Sequence, residues 1–295
     1  MQRYLIILSV LVSFTASAQQ SLILRDTTDS SAVTDTSKTR RWDVAVDVIS
    51  RYIWRGQSWG GNYLTAQPSF NYAISERLSS GVWATTNFQK ASFENDGLSS
   101  RGYQELDLGI TYKLTDFLSV QVWDYYWPAF QQVEDVDKSY FNYGPDGVKS
   151  VDASVIADFS EGYLLSFDAT ISTLIAGNDY RYNADGEHPK QNYTTYVEAG
   201  YTFPDVMEMV SAKAFRNIDL RTAVGAVLNN QAAYYTYADY DHPSFVNLAI
   251  AATREFEIGG NITMPFTINY TYNAARSNTE IYGKNFVTAG LSFWY

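Results

Sequence analysis

The sequence contains no cysteine, and this absence removes several classes of protein from consideration. A chain without thiols forms no disulfide bonds, holds no cysteine-ligated zinc or iron–sulfur cluster, and cannot carry a lipid on an N-terminal cysteine. Basic residues are also scarce, 21 against 32 acidic ones. Because binding to phosphate groups depends on lysine and arginine, we expect no nucleic-acid partner.

Sequence motifs for cofactors and metals are missing as well. The sequence has no phosphate-binding glycine loop, no dinucleotide-binding fingerprint and no cysteine–histidine cluster. The acidic stretches at 134–138 and 238–242 do not match the pattern of a calcium-binding loop. We therefore expect no cofactor and no resident metal.

The first 18 residues have the composition of a cleavable secretory signal. Arg3 precedes an apolar run from Tyr4 to Phe14, and residues 16–18 read Ala-Ser-Ala, a typical cleavage site. The apolar run is too short for a transmembrane helix, which needs about 20 residues. We expect export of the chain with cleavage after Ala18, which changes the formal charge from −11 to −12 because Arg3 is lost.

The sequence after the signal divides into two parts. Residues 19–41 are rich in Ser, Thr and Asp and poor in apolar residues, a composition that predicts a disordered leader. From Trp42 to Tyr295 apolar and polar residues alternate with period two, as in strands that have one apolar and one polar face. The alternation predicts twelve strands, near 42–54, 63–74, 78–88, 103–114, 117–128, 150–159, 163–174, 192–203, 217–228, 245–256, 261–272 and 285–295.

The connections between these segments alternate between short and long, which is typical of an up-and-down meander with two unlike ends. Outer-membrane barrels of Gram-negative bacteria have this pattern, with apolar side chains facing lipid. We therefore predict an all-β, transmembrane, up-and-down antiparallel β-barrel over residues 42–295, with about twelve strands. Ten or fourteen strands remain open if the region 204–228 is misinterpreted, and a soluble sandwich or barrel is the alternative fold.

The final segment, Val287 to Tyr295, ends in Phe-Trp-Tyr, and we expect it to close the sheet against the first strand. Aromatic residues near the strand ends predict a girdle at the membrane interfaces. They are Trp54, Tyr72, Tyr112, Tyr126, Phe203, Tyr270, Tyr272 and Tyr295. Pro68 and Pro265 lie inside predicted strands and suggest local bulges, because proline donates no ladder hydrogen bond.

Residues 50–88 resemble a known family of porins. The first strand carries Ser50, Tyr52 and Arg55-Gly56, the second carries Gln-Pro-Ser-Phe at 67–70, and the third carries Gly-Val-Trp-Ala at 81–84. These features are similar to the TorF-type porin family of Gram-negative bacteria. The resemblance implies an outer-membrane barrel that transports an unknown solute, and it implies no catalytic residues.

Strand alternation also assigns charged side chains to the barrel interior. They are Asp43, Asp47, Arg51 and Arg55 from the first strand, Glu105, Asp107 and Lys113 from the fourth, Asp152 and Asp158 from the sixth, and Asp168, Glu198, Asp219 and Arg221 from later strands. Because unpaired buried charges are unfavourable, we expect the three arginines to pair with carboxylates across the lumen. Two interpretations are open: a charged pore lining that favours cations or amphoteric solutes, and a plugged lumen held by salt bridges.

The fifth segment departs from the pattern because Asp124 falls on the face that should meet lipid. Either a bulge near Trp123 shifts the register, or Asp124 lies above the membrane. Trp123, Tyr125 and Trp127 then form either an aromatic rim of the upper lumen, able to stack on sugar or base rings, or part of the outer aromatic belt.

These observations predict a porin-like channel of the bacterial outer membrane, in contact with its lipid, through which a small polar solute diffuses passively. One alternative is a non-conducting barrel that binds a ligand or partner through its aromatic outer loops. Another is a barrel enzyme that uses a loop histidine, His188 or His242. Neither histidine has a suitably spaced serine on a strand, so we expect no enzyme activity and no catalytic residues.

Overall fold

The computed structural model describes residues 41–89, 102–128, 137–160, 166–181, 190–206, 217–232, 235, 243–258, 262–275 and 283–294. The expected signal peptide, nearly all of the polar leader, Tyr295 and both histidines lie outside these residues. The described chain forms the strands β1 (Trp42–Ile49), β2 (Tyr52–Trp54), β3 (Gln57–Trp59), β4 (Thr65–Ala73), β5 (Leu78–Thr86), β6 (Gln104–Lys113), β7 (Leu118–Tyr126), β8 (Lys149–Asp158), β9 (Phe167–Gly177), β10 (Tyr180–Arg181), β11 (Lys190–Gln191), β12 (Thr195–Phe203), β13 (Ile218–Val227), β14 (Ser244–Ile258), β15 (Ile262–Tyr272) and β16 (Asn285–Trp294).

Twelve of these strands form one closed antiparallel barrel, in the order β1-β16-β15-β14-β13-β12-β9-β8-β7-β6-β5-β4. The last strand closes the barrel against the first, with Val46 opposite Phe293. The predicted fold class is therefore confirmed, and the described residues 204–206 and 217–228 contribute one barrel strand, β13. No helix within the described ranges is both long and apolar enough to cross a membrane.

The two faces of the barrel wall differ as the alternation predicts. Apolar side chains on the outer face are exposed, for example Ile110 at 54%, Ile171 at 55% and Val287 at 72% of their surface. On the inner face of the same wall Asp107 and Asp152 are completely buried. Because neighbouring residues of a strand point to opposite faces, this burial shows that polar side chains fill the interior.

The chain leaves the wall earlier after β1 than the sequence predicts. The first strand was expected to run to Trp54, but it ends at Ile49, and residues 52–59 form the separate hairpin β2–β3. The two residues of its turn, Arg55 and Gly56, have φ angles of 46° and 86°. Positive φ at both turn positions produces the tight reversal of a two-residue hairpin. Arg55 therefore does not belong to the first barrel strand, which corrects that assignment.

Bulges occur at places other than the two prolines. Pro68 stays in register opposite Val46, and Pro265 stays in register opposite Glu255. The register shifts lie between Val151 and Asp152, and between Gly225 and Ala226. The bulges expected at the prolines are therefore absent from the pairings with β1 and β14.

The barrel has a short-turn end and a long-loop end. The turns 74–77 and 114–117 lie at the short-turn end, whereas residues 50–64, 137–148 and 190–194 lie at the long-loop end. The candidate site lies in the half of the lumen next to the long loops.

Candidate functional site in the barrel lumen

The hairpin β2–β3 lies inside the barrel. Tyr52 packs on Trp83 of β5, with ring centroids 5.6 Å apart. Arg55, at the other end of β2, contacts Asp152 of β8, and Gly56 lies against Val246 of β14. Strands β5, β8 and β14 belong to different sides of the closed sheet. The hairpin therefore crosses the lumen and narrows it.

Arg55 fixes the tip of this hairpin. Its Nη1 atom lies 3.0 Å from Oδ2 of Asp152 and donates to the hydroxyl of Tyr235 at 2.5 Å. Its Nη2 atom donates to Ser172 at 2.7 Å. The guanidinium carbon also lies 4.8 Å from the ring centroid of Trp54. A carboxylate, two hydroxyls and an aromatic face as partners offset the desolvation cost of burying this arginine.

The neighbouring glycine makes the tight contact of the hairpin with the wall possible. A Cβ atom on Gly56 would lie 1.9 Å from the carbonyl oxygen of Val246. The Gly56 carbonyl also accepts a hydrogen bond from the Asn273 side chain at 3.0 Å. Only glycine tolerates both this approach and the positive φ angle. The Arg55-Gly56 pair therefore pins the hairpin to two separate parts of the barrel wall, at β8 and at β14.

A second charged cluster lies on the walls of β9, β12 and β13. Arg221 Nη2 lies 2.6 Å from Oδ1 of Asp168 and 3.8 Å from Oε1 of Glu198. Glu198 also accepts hydrogen bonds from Tyr196 and, at 2.7 Å, from Asn247. The expected pairing of Arg55 and Arg221 with carboxylates is therefore observed. Arg51 instead lies 5.4 Å from the ring of Phe286 and has no carboxylate partner in the described chain, which corrects the expectation for Arg51.

Most of the other predicted lumen residues lie toward the short-turn end. Asp43 accepts from Asn71 at 2.8 Å, and Asp47 accepts from the Ser292 hydroxyl. Asp219 accepts from the Asp205 backbone at 2.7 Å. Asp158 and Lys113 are the last residues of β8 and β6 at that end. The charges assigned by parity are thus spread along the lumen rather than gathered in one ring.

Trp123 and Tyr125 of β7, and Trp127 directly after it, line the lumen and do not belong to the outer aromatic belt. Trp123, Tyr125 and Trp127 are only 2%, 3% and 8% exposed. The outer-belt interpretation of these residues is therefore wrong. Trp54, expected in the girdle, is also buried inside, whereas Tyr72 and Tyr270 are each 40% exposed on the outer wall.

Together with the hairpin, these aromatic residues line a small, partly open cleft at the long-loop end. The cleft lies between the hairpin and strands β6 to β9. It is lined by Tyr52, Trp54, Trp59, Tyr103, Glu105, Tyr125, Trp127, Ser150 and Leu174. Sequence analysis missed the contributions of Tyr52, Trp59 and Tyr103, because they depend on the hairpin folding inward.

Asp124 keeps its place on the outer face without a bulge at Trp123, since the register of β7 with β6 and β8 is continuous there. Lys149 Nζ lies 2.6 Å from Oδ2 of Asp124 and 3.3 Å from the ring centroid of Tyr140. The hydroxyls of Tyr140 and Tyr143 donate to the same carboxylate oxygen at 3.2 and 3.1 Å. Partial burial and this carboxylate raise the pKa of both tyrosines. Residues 137–148 therefore cover an ion pair on the outer wall.

The fold resembles solved outer-membrane barrels only distantly. LpxR from Salmonella typhimurium aligns with a TM-score of 0.46 and 9% identity, over 86% of this chain and 99% of its own. An outer membrane channel from Pseudomonas putida F1 gives 0.43 and 10%, over 90% and 99%. The NanC porin gives 0.43 and 8%, over 85% and 98%. Such low scores and identities carry no argument about function.

No family model and no curated protein matches the sequence. The function is therefore argued from the barrel itself.

Proposed function

We propose that this chain is an outer-membrane channel of the porin type, through which a small polar solute diffuses along a narrowed, charged lumen. The observation that carries the proposal is the inverted distribution of side chains in the closed barrel. Large apolar side chains are exposed outside, and polar side chains are buried inside. A barrel in water would be stabilised by the opposite arrangement.

The outer wall supports the membrane location. A closed barrel leaves no unpaired strand edge, which is what a sheet needs in order to cross lipid. The exposed side chains on this wall are mainly Leu, Ile, Val and Phe, with tyrosines among them. So large an exposed apolar surface would favour aggregation in water, whereas in a bilayer it is solvated by lipid. The resemblance of residues 50–88 to TorF-type porins agrees with this location.

The interior supports passage of a small rather than a large solute. The hairpin crosses the lumen, so a solute must pass beside it or displace it. Toward the short-turn end small hydroxyl side chains, such as Thr111 and Thr253, line the lumen together with charged residues such as Asp219. Acidic residues outnumber basic ones along the lining, which favours cations or amphoteric solutes.

The test is single-channel recording on the full chain. It is expressed with its signal peptide in a Gram-negative host and purified from the outer membrane. In a planar bilayer with a salt gradient we expect discrete conductance steps and a reversal potential that indicates preference for cations. A barrel that is folded, as judged by its heat-modifiable migration in a gel, but electrically silent would overturn the channel proposal.

A silent barrel would favour a second function, that of a non-conducting receptor. The observation in its favour is the pinning of the hairpin by Arg55 at β8 and by Gly56 at β14. In that case the hairpin acts as a permanent plug, and the aromatic cleft beside it is the functional surface.

A further inference from the structure

The cleft beside the hairpin is lined mainly by aromatic side chains. Six of its nine lining residues are aromatic, and they come from both the hairpin and the barrel wall. Trp54 and Tyr125 meet edge to face with centroids 6.3 Å apart, and Trp59 lies 5.9 Å from Tyr103. The cleft is small and partly open to its surroundings, which suits a small ligand group rather than a large ligand.

One carboxylate faces this aromatic enclosure. Glu105 is only 7% exposed, and its Oε2 atom accepts hydrogen bonds from Tyr103 at 3.0 Å and from Tyr52 at 3.3 Å. The ion pairs found among the described residues involve Asp124, Asp152, Asp168 and Glu198, and do not include Glu105. Glu105 also shares a hydrogen bond with the Asp107 side chain. A cation bound beside Glu105 would favour its charged form and supply the counter-charge that the tyrosine hydroxyls do not.

Aromatic rings already hold cations in this molecule, both at Trp54 of the cleft and on the outer wall. The guanidinium of Arg55 lies 4.8 Å from the ring centroids of Trp54 and of Tyr196. Lys149 lies 3.3 Å from the ring of Tyr140. The faces of Trp and Tyr attract cations through the ring quadrupole, most strongly where water is excluded. The cleft combines such rings with a carboxylate.

From these observations we propose that the cleft binds an organic cation of the alkylated ammonium class, with the ammonium group between the aromatic rings and Glu105. A metal ion would need several oxygen ligands, and the cleft offers few. An anion would be repelled by the carboxylate. The proposal does not rest on conduction, because a plugged barrel would have the same cleft.

The first test compares choline with its neutral carbon isostere, in which a tert-butyl group replaces the trimethylammonium group. The purified full chain is kept in an uncharged polyoxyethylene detergent, because phosphocholine detergents carry the same ammonium group. Binding is followed by calorimetry and by tryptophan fluorescence. We expect saturable binding of choline and an affinity for the isostere lower by about tenfold or more. Equal affinities for the two compounds, or no binding of choline, would overturn the proposal.

The second test assigns the site to the cleft. Glu105→Gln should weaken choline binding by about tenfold with little change in the volume of the side chain. Asp43→Asn removes the same charge at the short-turn end and should leave the affinity unchanged. Trp59→Leu removes the most exposed ring of the cleft and provides a second variant if Glu105→Gln does not fold. Unchanged affinity in a folded variant at either position would place binding elsewhere and contradict the proposal.

Discussion

Arg55 and Lys149 are both buried cations held by one carboxylate and by aromatic rings, but they lie on opposite faces of the barrel wall. Arg55 pairs with Asp152 inside the lumen, and Lys149 pairs with Asp124 on the outer face. The two sites share a stretch of wall, because Asp152 lies opposite Trp123, the neighbour of Asp124. An ion pair with aromatic contacts therefore fixes the hairpin to the inner face of the wall and residues 137–148 to its outer face.

The surroundings of the two ion pairs differ, and so does the strength with which each pair holds its segment in place. Asp152 is fully buried, and its partner cannot reach water without moving the whole hairpin. The Asp124 side chain retains 23% of its exposure, and Lys149 has a flexible stem that can turn toward lipid headgroups. We therefore expect the lumenal pair to control the state of the hairpin and the outer pair to contribute only to loop order.

The largest effect is expected from Asp152→Asn, which leaves Arg55 buried without a counter-charge. Breaking a buried pair in this way costs about 3–5 kcal/mol, enough to release the hairpin from its docked position. The released hairpin should be cleaved by trypsin at Arg55 in the folded barrel, and single-channel conductance should rise. Asp43→Asn, the same change near the short-turn end, is the control. A protected hairpin and unchanged conductance in folded Asp152→Asn would show that the ion pair does not hold the hairpin.

A smaller effect is expected from Gly56→Ala, which alters no charge. The added Cβ would meet the Val246 carbonyl oxygen at 1.9 Å, so the turn must move, at a cost of about 2 kcal/mol or more. Trypsin cleavage at Arg55 should again increase, although less than in Asp152→Asn.

The matched control for this change is Gly144→Ala in the outer segment. There the nearest atom to the new Cβ is a side-chain oxygen of Asn142, 2.9 Å away, which can move aside. Equal protease sensitivity in the two alanine variants would argue against a close backbone contact at Gly56.

The smallest effect is expected from Asp124→Asn on the outer wall. Lys149 can extend toward the membrane interface, so the loss should be about 1 kcal/mol. Residues 137–148 should become more accessible, as measured by trypsin cleavage at Lys138, while conductance stays at the wild-type level. A change in conductance as large as that of Asp152→Asn would contradict the expectation that only the lumenal ion pair controls the hairpin.

Sequence analysis located the twelve barrel strands within a few residues, because alternation of side chains is a local property. It also assigned Asp152, Glu198 and Arg221 to the interior by parity alone. It extended the first strand through Arg55, because the residues after Ile49 continue the alternation, and an Arg-Gly turn is a weaker hairpin signal than Asn-Gly. The outer-belt interpretation of Trp123, Tyr125 and Trp127 failed because an aromatic side chain suits either face of a strand.

The sequence by itself determined the barrel, an approximate strand number of twelve and the polar character of its interior. These properties follow from a period of two, a closed set of strands and the separation of apolar from polar faces. Only the tertiary structure decided that residues 52–59 fold into the lumen, that Arg55 meets Asp152, and that Glu105 lies in an aromatic cleft. These contacts join residues from distant strands, and their geometry depends on the path of one loop across the closed barrel.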